Sequence, residues 1–306
     1  MEIVRIDKKT RVDQESFIAL GNFDGVHRAH QEIIKTLVTR AREKNLASSV
    51  LIFKQHTKDT LTLKEQPLLS SQEQKYQILE DLGVDFIYEM DFNRDIMNLE
   101  ARVFVEDLLL DHLSVRGIVV GFDYRFGHKA SGNTDSLRAF QKDMAFDLYI
   151  VDKVEEGDLT ISSTLIRQLI KEGDLVKAGD LLGRPYTLAG LVETGKGLGR
   201  KIGIPTANLR LDTHYCVPKF GVYHSHVILE GKTYLAATNI GKNPTFNETG
   251  LKVEAHILDF DQDIYGKKVS LALNQFIREE ISFDSIEELV DQMEEDISLI
   301  KKLNSN

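Results

Sequence analysis

Residues 17–30 read FIALGNFDGVHRAH, and this stretch decides the fold of the N-terminal part of the chain. It begins with a short apolar run, continues through a segment with two glycines, and leads into an amphipathic pattern that carries Ile33, Ile34 and Leu37. An apolar run, a glycine-bearing turn and an amphipathic stretch in this order are typical of a strand followed by a helix. The stretch therefore predicts the first strand–helix unit of an α/β sheet.

His27 and His30 lie three residues apart at the start of the predicted helix. Positions three apart are neighbours on a helix surface, so both imidazoles are expected on one face. A helix N-terminus attracts anions through its free N–H groups and its dipole, and Gly21 and Gly25 permit a tight turn and close backbone approach. We predict a phosphate site here, although two histidines at this spacing, taken alone, are more often incidental than catalytic.

Strand-like and helix-like patterns alternate over the first 180 or so residues. The apolar runs interpreted as strands are 17–20, 49–53, 85–88, 117–121 and 148–151. The helical periods between them are 32–43, 71–82, 99–112 and 134–144. Such alternation predicts an α/β fold with a mostly parallel sheet that is covered on both faces. Ligands of such sheets bind at the carboxyl ends of the strands, where the histidine pair falls.

The pattern changes after Arg184. The strand-like segments that follow are 186–192, 221–229, 233–239, 252–258 and 268–273. No helical period separates them, which predicts a small antiparallel barrel or sandwich. One long amphipathic helix with Ile286, Leu289 and Met293 on its apolar stripe closes the chain. We place the two domains at residues 1–184 and 185–306.

The bulk composition is that of an ordinary globular protein, with 306 residues and 42% hydrophobic residues. The net charge of −10 argues against a general nucleic-acid binder, whose domains are usually basic. No apolar run approaches the ~18 residues of a membrane span, and the N-terminus has no signal-peptide core. The single cysteine, Cys216, cannot form an internal disulfide. We expect a cytoplasmic protein with no nucleic-acid or membrane partner, and self-association stays open.

Two further segments of the first domain carry polar groups suited to a nucleotide. Residues 121–127 read GFDYRFG and contribute the carboxylate of Asp123 after an apolar run. Residues 161–167 read ISSTLIR and open a helix, so their hydroxyls and an arginine one turn later can share a bound phosphate with the helix N–H groups. The structural alternatives are an aromatic loop packed on the core and a capped helix with a solvated arginine.

The second domain carries a glycine-rich stretch, residues 195–208, which reads GKGLGRKIGIPTAN. Its glycines alternate with basic residues, which supplies flexible backbone N–H groups and positive charge for phosphates. They include Gly195, Gly197 and Gly199. The stretch ends in Thr206 and Asn208, whose side-chain oxygens suit Mg²⁺. It is not a P-loop, because the G-x-x-x-x-G-K-[ST] pattern is absent.

These segments, in this order, resemble the bacterial bifunctional riboflavin kinase/FMN adenylyltransferase (FAD synthetase) family. The histidine segment is similar to the family signature G-x-F-D-G-V-H-x-G-H, with Ala29 in place of a glycine. Residues 53–57, FKQHT, resemble F-x-P-H-P but have Gln55 and Thr57 where the family has proline. In the second domain the resemblance continues through the segments 221–223, 239–246 and 253–260.

The resemblance implies a Rossmann-like nucleotidyltransferase domain with a parallel sheet, followed by a small antiparallel β-barrel domain that ends in a long helix. It also implies that riboflavin and ATP give FMN and ADP at the second domain, and that FMN and ATP give FAD and pyrophosphate at the first. Each step is expected to need Mg²⁺. The small-molecule partners implied are riboflavin, FMN and ATP.

The resemblance also assigns roles to individual residues. The residues implied to contact the ATP phosphates are His27, His30, Ser163, Thr164 and Arg167. Those implied to lie against the nucleotide or flavin are Asn22, Asp123 and Arg278. Thr206 and Asn208 would hold Mg²⁺ with ATP, while Gly195, Gly197 and Gly199 would approach the phosphates. Glu254 would be the base for the riboflavin 5′-hydroxyl.

Other interpretations stay open at this point. The departures at Ala29, Gln55 and Thr57 allow a riboflavin kinase with a weak or inactive adenylyltransferase domain. A non-catalytic flavin- or nucleotide-binding protein is a second alternative, although pure binding needs no base. Without the family, Glu254 is an ordinary polar residue on an alternating strand. A lipid-headgroup cytidylyltransferase would share the histidine segment but not the appended barrel.

Overall fold

The computed structural model describes residues 1–54, 66–195, 199, 202–242 and 250–305. The chain divides into two compact units. The first unit comprises Met1–Gln66 and Gln72–Ser162, and the second comprises Pro67–Ser71 and Ser163–Asn306. The domains expected from sequence, 1–184 and 185–306, differ from these units chiefly in the segment 163–184.

A six-stranded sheet forms the centre of the first unit. Its strands are β1 (Glu2–Ile6), β2 (Ser16–Leu20), β3 (Ala47–Phe53), β4 (Phe86–Met90), β5 (Val115–Gly121) and β6 (Asp147–Val151). Their order is β1-β4-β3-β2-β5-β6, and all neighbouring pairs are parallel. The prediction of a parallel α/β sheet is confirmed. β2 to β6 match the predicted runs within two residues at either end, whereas β1 was not predicted.

Helices cover both faces of this sheet. They are α1 (Arg28–Glu43), α2 (Gln72–Asp81), α3 (Arg94–Met97), α4 (Ala101–Val103), which continues as the π-helical segment Phe104–His112, and α5 (Thr134–Asp143). Alternate residues of β2 belong to opposite layers of the core. Phe17 and Ala19 pack with the apolar stripe of α1, whereas Ile18 and Leu20 pack with the layer that contains Phe104. A short hairpin of β7 (Glu155–Glu156) and β8 (Leu159–Thr160) follows the sheet.

The direction of the chain across the sheet reverses between β2 and β5. From β2 the chain moves to β3 and β4 on one side, and it then returns to β5 and β6 on the other. Such a reversal leaves a crevice at the carboxyl ends of the two strands, and ligands of open α/β sheets bind there. The loops that follow β2 and β5 are those that carry the histidine pair and Asp123.

A closed antiparallel barrel forms the centre of the second unit. Its strands are β9 (Tyr186–Glu193), β10 (Ala207–Leu211), β11 (Gly221–Leu229), β12 (Lys232–Lys242), β13 (Leu251–Ile257) and β14 (Lys268–Arg278), in the order β10-β13-β12-β11-β14-β9. The helices of this unit are α6 (Ser163–Glu172), α7 (Leu175–Leu182) and α8 (Ile286–Asn304). The predicted barrel and long final helix are confirmed, while β10 was not predicted.

No helix within the described ranges is long and apolar enough to cross a membrane.

Candidate active sites

The loop between β2 and α1 has an unusual backbone. Gly25 has a φ of 75°, and Phe23 and Val26 also have positive values of 48° and 39°. This region is strained for any residue with a side chain, and most of all for a β-branched valine. Such strain persists only where the surroundings hold it, and it concentrates at ligand sites. Gly21 has no positive φ, but a Cβ there would lie 3.1 Å from the Phe23 ring, so packing accounts for this glycine.

His27 and His30 stack on each other at the first turn of α1. Their ring centroids are 3.7 Å apart and their planes differ by 15°. His27 is also the N-cap of the helix, because its Nδ1 accepts the backbone N–H of His30 at 3.4 Å. A neutral imidazole that accepts at Nδ1 carries its hydrogen on Nε2. His27 can therefore offer Nε2–H to a phosphate oxygen.

His30 is held in its neutral form by its surroundings. Its Nδ1 is buried and has no hydrogen-bond partner among the described residues. Burial, followed by the proximity of His27 and of Lys75, holds the pKa of His30 well below its usual value. His30 thus contributes hydrogen bonding at neutral pH rather than positive charge.

Lys75, on α2, lies beside this group and was not singled out in the sequence. Its Nζ donates a hydrogen bond to the carbonyl of Asn22 at 3.1 Å. Burial lowers the pKa of the Lys75 ammonium, and the carboxylate of Asp24 acts in the opposite direction. A lysine on an amphipathic helix is ordinarily solvated, so nothing local in the sequence distinguishes it.

The loop after β5 lies against the start of α1. A Cβ on Gly121 would lie 3.4 Å from both Asp123 Oδ1 and Ile33 Cδ1, which places the Asp123 carboxylate near this helix. Asp123 and Asn22 are both exposed. The structure therefore brings Asn22, Asp123 and the histidine pair to the two loops of one crevice.

Ser163, Thr164 and Arg167 lie in α6, which belongs to the second compact unit. The predicted helix opening is confirmed, because Ser163 is the first residue of α6. Thr164 is exposed, and the Nε of Arg167 donates to the carbonyl of Pro67 at 2.8 Å. A phosphate shared between these residues and the histidine pair stays a prediction. Cys216 is buried in this unit, with its Sγ 3.7 Å from the Arg167 carbonyl.

Asn208, Glu254 and Asn239 form one row on the outside of the barrel. Asn208 on β10 is the register partner of Glu254 on β13, and Glu254 is the partner of Asn239 on β12. Val253 and Ala255 on either side of Glu254 are buried, so its side chain points away from the barrel interior. Opposite residues have Cβ atoms about 5 Å apart, and the carboxylate and both amides can therefore meet one ligand. The position of Asn239 beside Glu254 was not predicted, because strand pairing cannot be read from local sequence.

Two contacts position the surroundings of Glu254. Lys252, two residues before it on the same face, places its Nζ 2.9 Å from Glu254 Oε2. On the other side, Nδ1 of His256 donates to the carbonyl of Pro205 at 2.8 Å. This second bond fixes the segment immediately before Thr206 beside β13. The Glu254 side chain remains 22% exposed, so a substrate hydroxyl can reach it.

Gly195 and Gly199 are required by close approach of other atoms. A Cβ on Gly195 would lie 2.2 Å from Asn208 Nδ2, and one on Gly199 would lie 2.4 Å from the carbonyl oxygen of Ile204. Gly195 thus packs directly on a predicted metal ligand. Several positions named in the sequence analysis lie outside the described residues. They are Gln55 and Thr57 in the first domain, and Gly197 and the segment 243–246 in the second.

Arg278 binds a carboxylate of the final helix. Its Nε and Nη2 donate to Asp296 of α8 at 2.9 and 2.7 Å, and Asp296 is only 5% exposed. Its Nη1 donates to the backbone carbonyl of Glu279. The guanidinium is therefore used to hold α8, and the contact with nucleotide or flavin stays a prediction.

Comparisons with known proteins agree on both halves of the chain. A family model described as FAD synthetase matches residues 9–165, and one described as riboflavin kinase matches residues 182–304. The bifunctional riboflavin kinase/FMN adenylyltransferase of Listeria monocytogenes is 40% identical over 287 residues, which cover 93% of this chain and 91% of that protein. The enzyme of the same description from Haemophilus influenzae is 38% identical and covers 98% of both chains.

A solved structure extends this likeness to three dimensions. The crystal structure of a Streptococcus pneumoniae protein, described as a macrolide-efflux protein, has a TM-score of 0.90, 33% identity and 98% coverage of both chains. Efflux is the description of that protein alone, whereas both family models and both curated relatives name enzymes of flavin synthesis. The chain therefore belongs to the family of bifunctional riboflavin kinase/FMN adenylyltransferases.

Proposed function

We propose that the two reactions of this family take place at the two sites described above. The protein phosphorylates riboflavin to FMN and adenylylates FMN to FAD. We assign adenylyl transfer to the crevice at the carboxyl ends of β2 and β5, within residues 1–184. We assign phosphoryl transfer to the outer face of β13, within residues 185–306. The observation that carries the assignment of phosphoryl transfer is the direct register of Asn208 with Glu254.

Adenylyl transfer needs positioning and charge stabilisation rather than a protein nucleophile. An oxygen of the FMN phosphate forms the new bond to the α-phosphorus of ATP, and pyrophosphate leaves with the electron pair of the broken bond. The attacking oxygen is already ionised, so no base is required. His27 and His30 would donate N–H groups to the phosphate oxygens, and Asn22 and Asp123 would border the nucleotide and flavin.

The opening of α6 would add further phosphate contacts to the same reaction. Ser163 and Thr164 place hydroxyl groups and backbone N–H groups at a helix N-terminus, where the helix dipole favours an anion. Arg167 stands one turn further on, and its bond to the Pro67 carbonyl orients the guanidinium. The resemblance to the family assigns these groups to the triphosphate of ATP.

Phosphoryl transfer to riboflavin needs a base, because the nucleophile is a primary hydroxyl. The 5′-oxygen forms a bond to the γ-phosphorus of ATP, ADP leaves with the electron pair, and Glu254 accepts the hydroxyl proton. The carboxylate is suited to this because it is partly exposed and fixed on a strand. The ammonium of Lys252 beside it would orient the carboxylate.

The residues across from Glu254 fit a magnesium ion that arrives with ATP. Thr206 and Asn208 provide a hydroxyl and an amide carbonyl, which are oxygen donors of the kind Mg²⁺ accepts beside substrate phosphates. The tight packing of Gly195 on the Asn208 amide supports a fixed position for this donor. When bound, the ion would neutralise phosphate charge. A metal requirement in both reactions is part of the proposal.

The division of labour is tested with riboflavin, Mg²⁺ and ATP, followed by chromatographic separation of the flavins. Glu254→Gln should stop FMN formation while the conversion of added FMN to FAD continues. His30→Ala should do the reverse. Each variant thus has its second activity as an internal control of folding. A folded variant that loses both activities, or neither, would contradict the assignment.

We further infer a cytoplasmic protein that acts on small molecules and not on nucleic acid. The net charge of −10 supports this, because a polyanion would be repelled. The single and buried Cys216 suits a reducing compartment. Light scattering measures whether the protein self-associates.

A further inference from the structure

Lys75 is a cation at a position that disfavours one. It is the fourth residue of α2, in the first helical turn, where the helix dipole is positive and where acidic side chains are stabilised. Burial acts against its charge as well. A lysine ammonium in such surroundings is stabilised by a negative group close by.

The described residues supply little of that negative charge. The Lys75 ammonium donates to the carbonyl of Asn22 at 3.1 Å, and Asp24 attracts it electrostatically. Within the ranges that the structure describes, Lys75 forms no ion pair with a carboxylate. Arg28, the neighbouring cation at the start of α1, differs in this respect because its Nη1 lies 2.5 Å from Glu156 Oε2.

The histidine pair does not replace this charge. Two rings stacked at 3.7 Å cannot both be protonated without repulsion, and the surroundings of His30 favour its neutral form. The loop 22–24 and the histidines therefore offer hydrogen bonds, while Lys75 provides the positive charge. A bound triphosphate carries several negative charges and needs both.

We propose that Lys75 is a further substrate-binding residue of the adenylyltransferase, whose ammonium contacts the phosphates held at the histidine pair and stabilises the charge on the departing pyrophosphate. This inference rests on the site proposed above for adenylyl transfer. Lys75 transfers no proton: the bond from FMN oxygen to the α-phosphorus forms, the bond to the bridging oxygen breaks, and the electron pair leaves on pyrophosphate.

The test separates the charge of Lys75 from its hydrogen bond. Lys75→Gln keeps a donor for the Asn22 carbonyl but removes the charge, whereas Lys75→Arg keeps both. Lys35→Gln is the matched control, since Lys35 is exposed on α1. We expect Lys75→Gln to lower kcat/KM for FMN adenylylation about 10²-fold, with most of the activity restored in Lys75→Arg. Riboflavin phosphorylation should be unchanged in all three.

Two further measurements address the substrate contact directly. In the reverse reaction of FAD with pyrophosphate, KM for pyrophosphate should rise in Lys75→Gln. Calorimetric affinity for α,β-methylene-ATP should fall in the same variant. Should Lys75→Gln fail to fold, Lys75→Met provides a second uncharged side chain for the same assays.

The outcomes distinguish this inference from the site on which it rests. Wild-type kinetics in Lys75→Gln, with activity lost in His30→Ala, would overturn the role of Lys75 alone. Full activity in both variants would overturn the site itself. Equal losses in Lys75→Gln and Lys75→Arg would show that charge is not what matters, and would overturn the inference as well.

Discussion

Asn208 on β10 and Glu254 on β13 are direct cross-strand partners in the barrel. Each group is fixed by a strand of a closed sheet, and Asn239 extends the row on the next strand. Groups on regular elements are held more precisely than groups on loops. An amide side chain and a carboxylate are thus set at a distance that folding determines, and Gly195 packs on the Asn208 amide.

Gly195→Ala tests whether Asn208 must be held in place. The added methyl would lie 2.2 Å from the Asn208 amide nitrogen, so the amide must rotate away. Gly195 has no positive φ, and the variant should therefore fold normally. We expect riboflavin phosphorylation to fall about 10²-fold, because small misplacements at a reacting centre have effects of this size. FMN adenylylation, assayed in the same preparation, should be unchanged.

Gly231→Ala provides the contrasting control. Gly231 has a φ of +78° and no described atom within 4 Å of the position of a Cβ. Its substitution should lower the free energy of unfolding by about 1 kcal/mol and leave both activities intact. Equal loss of phosphorylation in the two variants would contradict the role given to Gly195.

The central strands of the sheet could be predicted because their residues are buried and therefore mostly apolar. β2 and β3 are buried on both faces and therefore appear as continuous apolar runs. β1 was missed because it lies at the edge of the sheet and exposes Glu2, Ile3 and Arg5. β10 was missed because it is short and follows directly on the glycine-rich stretch, where turns were expected.

The site could be predicted only where neighbours in sequence are neighbours in space. His27 and His30 met this condition, since one helical turn joins them. Lys75 could not be identified in this way, because the residue that it contacts, Asn22, lies far away in the sequence. Asn239 likewise meets Glu254 through strand register. Long-range pairings of this kind depend on the assembled fold, and no local pattern contains them.

His27→Asn separates the capping role of His27 from its imidazole. Asparagine is among the best N-cap residues, so it can accept the backbone N–H that His27 Nδ1 now accepts. We expect its thermal stability to match the wild type and FMN adenylylation to be lost. His27→Ala should lose the same activity and also about 1 kcal/mol of stability. Full adenylylation in His27→Asn would show that the residue is only a cap.

Asp296→Ala tests whether Arg278 serves chiefly to hold the final helix. The substitution would leave the Arg278 guanidinium partly buried without its carboxylate, which typically costs about 3 kcal/mol in the free energy of unfolding. Arg278→Met together with Asp296→Ala should cost less than the sum of the single changes. Urea unfolding of the four proteins measures this coupling. A larger rise in KM for riboflavin in Arg278→Met than in Asp296→Ala would instead support a flavin contact.

His224 should make the barrel sensitive to acid. It is 7% exposed, and its Nε2 is buried without a hydrogen-bond partner among the described residues. Burial, and then the neighbouring His226, keep the pKa of His224 below its usual value. The His226 ring, 5.3 Å away, is itself bound to Asn274 and Asn304.

The sign of the effect follows from proton binding. The folded state binds a proton at His224 less readily than the unfolded state, whose histidine pKa is about 6.5. The contribution of neutral His224 to the free energy of unfolding is therefore complete above that pH and is lost as the pH falls below it. We expect the urea midpoint of unfolding to drop more between pH 7.5 and 5.5 in the wild type than in His224→Phe, which cannot be protonated. His214→Phe, at an exposed position, should keep the wild-type acid sensitivity. An equal drop in His224→Phe and the wild type would mean that His224 does not cause it.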